Sequence, residues 1–122
     1  MAYSKKKLEA EISSAFITFQ RELIGRGPQE TKTYIVQDMI ITGFKGVLTT
    51  EEKHLVTHDD GRKLVKKIRQ VLREMYSRDF EKIVENLTHC KVLSSHSDIS
   101  TKIGERIEVF IVDKDLENLL DE

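Results

Sequence analysis

The chain has 122 residues, of which 39% are apolar and 34% are charged, and this is enough apolar material for one domain with one hydrophobic core. Its 20 lysines and arginines are balanced by 21 acidic residues, so the net charge of -1 does not favour a nucleic-acid partner. The single cysteine, Cys90, excludes an intrachain disulfide and fits a reducing compartment.

No segment has the composition of a targeting signal or of a linker. The basic residues Lys5–Lys7 are followed by a charged, amphipathic stretch and not by the apolar core of a signal peptide. No apolar run is longer than the four residues Val109–Val112, whereas a transmembrane helix needs about 20 apolar residues. We therefore expect a single domain over residues 1–122, located in the cytoplasm, with any membrane contact at the periphery.

The first predicted element is a helix over about residues 4–24. Gly25 suits the left-handed C-cap position of this helix, and Pro28 follows shortly after, as expected beyond a helix end. The apolar residues recur at steps of three and four, which places them on one face. They are Leu8, Ile12, Ala15, Phe16, Phe19 and Leu23.

Two strands are predicted next, over residues 31–36 and 39–44. The first contains Thr33–Val36, which are β-branched and aromatic residues that favour strands. Only Gln37 and Asp38 separate the two runs. This spacing predicts a hairpin, although Gln-Asp is not a pair that hairpin turns prefer.

Two helices follow in the middle of the chain. Thr49 and Glu52 form a capping-box pattern at the start of a short helix that ends near Val56. A much longer helix begins at residues 59–61, with its likeliest kink at residues 77–79. We expect its apolar residues to form its buried face. They are Leu64, Ile68, Val71, Leu72, Met75, Tyr76, Phe80, Ile83, Val84 and Leu87.

The last quarter of the chain predicts two more strands. Residues 90–94 form the third strand, residues 95–104 a polar turn, and residues 106–112 a fourth strand whose alternating start predicts one solvated face. Asp113 can cap a short final helix.

The order of these elements predicts an α+β fold. We expect a four-stranded, mainly antiparallel sheet of two hairpins, with two long amphipathic helices on one face and a short C-terminal helix. A parallel sheet is less favoured, because no crossover helix separates the strands of either pair.

Three clusters have the residue types of catalytic or metal sites but not their spacing. His54 and His58 are four apart, yet no metalloprotease glutamate lies between them. Residues 94–98 include serine, histidine and aspartate, but the members of a catalytic triad normally come from separated positions. His89 and Cys90 are neighbours in a predicted strand and so should point to opposite faces, and Cys90 is expected to be a small buried residue. The sequence therefore predicts no metal, no cofactor and no catalytic residue.

Seven residues remain as candidates for contact with an anion. Arg26 lies between two glycines, and His96 and Asp98 lie in the predicted 95–104 turn. The other four are spaced four, three and four apart and so share one helix face, opposite the apolar face. This basic stripe consists of Arg62, Lys66, Arg69 and Arg73. It could meet phosphates, anionic lipid or an acidic protein, but a plain solvated helix face explains it as well.

Several segments, in their order and spacing, resemble the MpsC family over about residues 8–116. The segments are Gly25-Arg26-Gly27-Pro28, Gly46-Val47-Leu48-Thr49 leading into Glu51-Glu52, Asp60-Gly61-Arg62, Ser97-Asp98-Ile99-Ser100 and Gly104-Glu105-Arg106-Ile107-Glu108-Val109-Phe110. The resemblance implies a link to a Na+-translocating, membrane-potential-generating system, whose related membrane components are associated with inorganic carbon uptake. It carries over no catalytic residues, and the chain has no spanning segment with which to translocate ions itself.

Three hypotheses follow. The first is a non-enzymatic accessory or interaction protein that acts beside a membrane transport protein and forms a homodimer, because its apolar helix surface is large for so short a chain. The second is a small domain, enzymatic or not, that binds phosphate or another anion through Arg26, the basic stripe and residues 95–101. The third is sequence-independent nucleic-acid binding through the stripe, which the absence of interleaved aromatic residues disfavours.

Overall fold

The computed structural model describes residues 4–121 as an antiparallel sheet with helices packed on one face. The strand order is β1-β2-β4-β3. The elements are α1 (Lys5–Ile24), β1 (Glu30–Val36), β2 (Met39–Lys45), α2 (Thr50–Leu55), α3 (Asp59–Met75), α4 (Ser77–Thr88), β3 (Val92–Ser100), β4 (Glu105–Val112) and a 3-10 turn at Glu117–Leu119. The predicted α+β fold is thereby confirmed.

Helix α1 begins and ends as its sequence predicts. The hydroxyl of Ser4 accepts a hydrogen bond from the backbone of Lys7, and Gly25 ends the helix in the left-handed conformation with φ of 92°. Leu8, Ile12 and Phe16 are buried on one face of the helix. Burial of this stripe against β1 and α4 holds the helix on the sheet.

Both predicted hairpins are present. Strands β1 and β2 pair from Glu30↔Lys45 to Val36↔Met39, and Gln37 closes the turn with a left-handed φ of 57°. Strand β4 pairs with β2 on one side and with β3 on the other, antiparallel in both cases.

Strand β3 is longer than predicted. It continues to Ser100, whereas we expected residues 95–104 to form a turn. Ser95 pairs with Phe110 and Ser97 with Glu108 along β4, so the ladder hydrogen bonds override the turn preference of serine and aspartate. The residues that remain in the turn are 101–104.

The long helical segment divides at Tyr76, one residue before the predicted kink, into α3 and α4. The short helix α2 has the predicted capping box: Thr49 accepts from the backbone of Glu52, and the Glu52 carboxylate accepts from the backbone of Thr49. The final element is a 3-10 turn and not an α-helix.

The apolar core lies between α1, α4 and the inner face of the sheet. Phe16 is at its centre, with its ring centroid 5.9 Å from that of Phe44, 5.8 Å from Phe80 and 5.6 Å from Phe110. All four rings are fully buried. Offset and edge-on contacts of this kind add to the stabilisation from burial itself.

Helix α3 is rotated relative to our expectation. Arg69 and Arg73 of the basic stripe are buried, with exposed fractions of 2% and 6%. The apolar residues predicted to face the core are instead in solvent, with exposed fractions of 49% for Leu64, 50% for Ile68, 41% for Val71 and 68% for Met75. The prediction of a solvated basic face opposite a buried apolar face is therefore wrong for these residues.

Candidate functional site

A cavity of about 500 Å³ opens between α3, the start of α4 and the β3–β4 hairpin. This volume is within the range of small-ligand sites. Charged and hydroxyl side chains dominate its wall, and its floor consists of arginines paired with the partly buried Glu52 and the fully buried Glu108. The polar lining residues are Lys66, Arg69, Gln70, Arg73, Glu74, Ser77, Ser95, Ser97, Asp98 and Arg106.

Arg69 is held in a forked ion pair with Glu52. Its Nε donates to Oε2 of Glu52 at 2.8 Å, and its Nη2 donates both to Oε1 of Glu52 and to the carbonyl of Val47, each at 2.6 Å. Burial acts to raise the pKa of Glu52, but the hydrogen bonds from Arg69 and from the backbone of Thr49 outweigh it and lower that pKa below its ordinary value. Glu52 therefore caps α2 and anchors α3.

Arg73 is held by Glu108, Ser77 and the ring of Phe80. Its Nε donates to both carboxylate oxygens of Glu108, at 2.9 and 3.1 Å, and its Nη1 donates to Ser77 at 2.8 Å. Its guanidinium lies 4.3 Å from the ring centroid of Phe80, which is a cation–π distance. The carboxylate of Glu108 is fully buried, so the compensating charge of Arg73 keeps it stable there.

Arg106 is the least satisfied of the three arginines. Its Nε lies 3.1 Å from Oε2 of Glu108 and donates to the hydroxyl of Ser97 at 3.2 Å. Within residues 4–121, no protein acceptor bonds its Nη1 or Nη2. Burial lowers the pKa of Arg106; Glu108 opposes this change, and the charges of Arg69 and Arg73 add to it.

The floor of the cavity carries a surplus positive charge. Three buried arginines, Arg69, Arg73 and Arg106, face two carboxylates, those of Glu52 and Glu108. One donor of this floor, Nη2 of Arg73, is fully buried and close to Glu108 but makes no hydrogen bond of acceptable geometry. Buried donors without acceptors are costly, and an oxyanion entering the cavity could satisfy them.

Two acidic residues, Glu74 and Asp98, also lie at the rim of the cavity, but both are solvated, and the register of β3 places Asp98 opposite Ile107, on the same face as His96. Glu74 accepts from Gln70 at 3.3 Å, and Asp98 accepts from the backbone of Ile99 at 2.9 Å. Both residues are exposed, so water and salt screen their charge more strongly than the charge of the buried floor. Lys66 adds a further exposed cation at the same rim.

Four of the seven predicted anion contacts, Lys66, Arg69, Arg73 and Asp98, line this cavity. The other three do not. Arg26 donates to the backbone carbonyls of Leu48 and Gly46, at 2.9 and 3.3 Å, and so ties the end of α1 to the segment after β2.

The remaining two predicted residues are also outside the cavity. Arg62 pairs with Asp59 and donates to the carbonyl of Val56 at 3.0 Å. His96 is exposed and lies opposite Val109 on the other face of the sheet. The predicted convergence of Arg26, the basic stripe and residues 95–101 is thus limited to the stripe from Lys66 onward and the residues of β3.

Sequence reasoning missed Arg106 and Glu108. We expected the charged residues at the start of β4 to face water, but both are buried, and Ile107 between them is exposed. The only signal was the alternation Arg106-Ile107-Glu108, which defines two faces without saying which is buried.

Within residues 4–121 no cluster of three or more histidine, cysteine or acidic residues could hold a metal ion. His54 and His58 are exposed, and the buried thiol of Cys90 contacts the carbonyl of Thr88 at 3.6 Å. No helix among the described residues is long and apolar enough to span a membrane.

A protein-family comparison accounts for nearly all of the chain. The family model described as "Na+-translocating membrane potential-generating system (MpsC)" matches residues 4–114. The chain belongs to the MpsC family. The resemblance inferred from the sequence is confirmed, and every residue of the arginine cavity lies within the matched range of the MpsC model.

Two relatives of this MpsC protein come from Bacillus subtilis strain 168. The uncharacterised protein YbcI is 36% identical over 121 residues, which cover 99% of this chain and 98% of YbcI. The uncharacterised protein YrhF is 25% identical over 108 residues, which cover 88% of each chain. No solved structure matches the chain.

Proposed function

We propose that this protein is a non-enzymatic accessory component of a Na+-translocating membrane system and that it binds a small oxyanion in the arginine cavity. The ligand carries a phosphate or carboxylate group. The observation behind this proposal is Arg106, a residue 5% exposed that lines the cavity and whose two terminal guanidinium nitrogens meet no protein acceptor among the described residues.

The hydroxyl groups around the cavity support binding over catalysis. Ser77 donates to the carbonyl of Arg73, Ser95 to Glu81 and Ser97 to Glu108. Neither histidine nor cysteine is among the described residues that line the cavity, so the Ser–His and Cys–His pairs that most often supply an activated nucleophile are missing from it.

The family name supports the membrane association. The protein would dock at the cytoplasmic surface of a membrane system that transports cations or inorganic carbon. It would act there as a partner of the ion-translocating membrane components.

The binding proposal is tested by thermal unfolding in inorganic phosphate, in sulfate and in chloride at equal ionic strength. Phosphate or sulfate should stabilise the folded protein, by about 2.7 kcal/mol at 100 times the dissociation constant. This corresponds to a rise of roughly 4 °C in Tm for each kcal/mol in a chain of this size. Equal Tm values in all three salts would exclude binding of these anions.

Two variants locate the effect. Arg106→Gln should abolish the response to phosphate, because it removes both the free donors and the surplus charge. Arg62→Gln is the matched control, since Arg62 pairs with Asp59 and Val56 outside the cavity. Its response should equal that of the unaltered protein. A phosphate response that survives Arg106→Gln would place the anion elsewhere.

The membrane proposal has a separate test. The tagged protein should co-purify from native membranes with an integral component of the Na+-translocating system, identified by mass spectrometry. Recovery of no such component, with or without phosphate, would exclude the association and leave the binding result intact.

A further inference from the structure

The solvent-facing side of α3 carries an apolar stripe that the domain itself leaves uncovered. Leu64, Ile68, Val71 and Met75 follow one another at steps of four, three and four, which is the spacing of the two apolar positions in a coiled-coil heptad. Each of the four is more than two-fifths exposed. The spacing of these residues suits helix pairing, yet the described chain leaves much of their apolar surface in solvent.

The stripe is complementary to a second copy of itself in the antiparallel orientation. If two α3 helices cross about a two-fold axis between residues 69 and 70, Leu64 of one copy meets Met75 of the other, and Ile68 meets Val71. The same contacts are repeated on the other side of the axis. All four apolar residues of each helix are then paired, with none left over at either end.

The charges beside the stripe favour the same orientation. Lys67 and Glu74 lie on one flank, each just before an apolar heptad position. In the antiparallel pair these flanks face each other. Measured along the helix axis, Lys67 of one copy and Glu74 of the second copy are offset by only about 3 Å. Two symmetric ion pairs result. In a parallel pair Lys67 would face Leu72 instead, and the charges would find no partner.

The structure also removes the usual obstacle to so short a coiled coil. An isolated helix of the 17 residues of α3 is only marginally stable in water. In this protein Val65, Arg69 and Arg73 on its inner side are buried and hold α3 in place. Association therefore does not have to order the helix, and the apolar contacts act on a preformed surface.

We propose that this protein forms a homodimer through an antiparallel pairing of its two α3 helices, with Leu64, Ile68, Val71 and Met75 as the apolar seam. The proposal is independent of the anion site. It assigns the two sides of α3 to two tasks: the inner side carries the arginines of the cavity, and the outer side binds the second copy.

The first test is the mass in solution, measured by light scattering and sedimentation over a concentration series. The unaltered protein should have the mass of two chains. Ile68→Glu should raise the dissociation constant at least ~100-fold, because it buries two carboxylates near the two-fold axis. Lys63→Gln makes the same change in net charge at an exposed position off the seam and should remain dimeric. A monomeric mass for the unaltered protein at every concentration would overturn the proposal.

Charge exchange tests the orientation without altering the apolar seam. Lys67→Glu alone turns two attractive pairs into repulsive ones and should weaken the dimer about tenfold. Adding Glu74→Lys should restore the original affinity, since each attractive pair is re-formed with exchanged signs. A double variant as weak as, or weaker than, the single variant would contradict the antiparallel arrangement.

Disulfide trapping gives an independent reading of the same geometry. The buried native Cys90 does not compete for surface cross-linking. A mixture of Leu64→Cys and Met75→Cys proteins should form a cross-linked heterodimer on mild oxidation, whereas each variant alone should cross-link poorly. Efficient cross-linking of each variant with itself would indicate parallel helices and overturn the proposed pairing.

Discussion

Helices α1 and α3 lie on the same side of one sheet, yet they present opposite chemistry to it. Helix α1 buries Leu8, Ile12 and Phe16 against the sheet and leaves charged residues in solvent. Helix α3 buries Arg69 and Arg73 and leaves its apolar stripe in solvent. The comparison shows that α1 places its apolar residues in the core of its own domain, whereas α3 keeps four of its apolar residues exposed.

The sheet beneath each helix explains this contrast. Under α1 the inner face carries Ile35, Ile40 and Phe44, which require an apolar cover. Under α3 the inner face carries Arg106 and the buried carboxylate of Glu108, which require ionic partners. A helix with one cationic and one apolar side satisfies Glu108 only with its cationic side inward.

The largest loss of stability is expected at the centre of the apolar core under α1. Phe16→Ala should lower the free energy of unfolding by about 3–5 kcal/mol, because the cavity opens between three other phenylalanine rings. Urea denaturation followed by circular dichroism measures this loss. A loss below about 1 kcal/mol would mean that the packing of Phe16 on α1 contributes little to the stability of the core.

The next largest loss of stability is expected at the ion pairs between α3 and the sheet. Glu108→Gln should lower the free energy of unfolding by about 3 kcal/mol, because it leaves two buried arginines without their carboxylate. Arg106→Gln is the counterpart at the same site. It removes the surplus charge while the pair of Arg73 and Glu108 remains.

In phosphate-free urea denaturation, the Arg106→Gln protein should therefore be at least as stable as the unaltered one. A large loss for Arg106→Gln would show that Arg106 contributes to the stability of the empty fold, and the argument for a ligand in the cavity would weaken.

The pair of Glu52 and Arg69 should make stability depend on pH. The pKa of Glu52 is lower in the folded state than its ordinary value of 4.5, so the unfolded chain takes up the proton first. The stabilisation is present above the ordinary value and is lost as the pH falls through the folded pKa. Glu52→Gln should lower stability by about 2 kcal/mol near neutral pH and flatten the fall in stability under acid conditions. An unchanged acid profile would contradict this assignment.

The smallest effect is expected on the outer side of α3. Ile68→Ala should change the free energy of unfolding of the monomer by less than about 1 kcal/mol, because half of this side chain is already in water. Denaturation at high dilution isolates the monomer from any dimer contribution. A loss as large as that of Phe16→Ala would show that Ile68 packs within its own domain and would remove the contrast between the two helices.

Much of the fold could be predicted from local patterns. The ends of α1, the capping box of α2, both hairpins and the α+β class follow from residue types at a few positions. The residues of the candidate site could be predicted from the sequence only in part. The four-three-four spacing identified Lys66, Arg69 and Arg73 as one helix face, but it could not show that Arg106 and Glu108 lie beneath them.

Residue spacing alone establishes that α3 has a cationic face and an apolar face, and that β4 alternates charged and apolar residues. Which of these faces is buried follows from the packing of α3 on the sheet. Periodicity separates two faces but gives the same pattern whichever one points inward. The choice depends on the charges across the interface, because Arg69 and Arg73 can be buried only where Glu52 and Glu108 meet them.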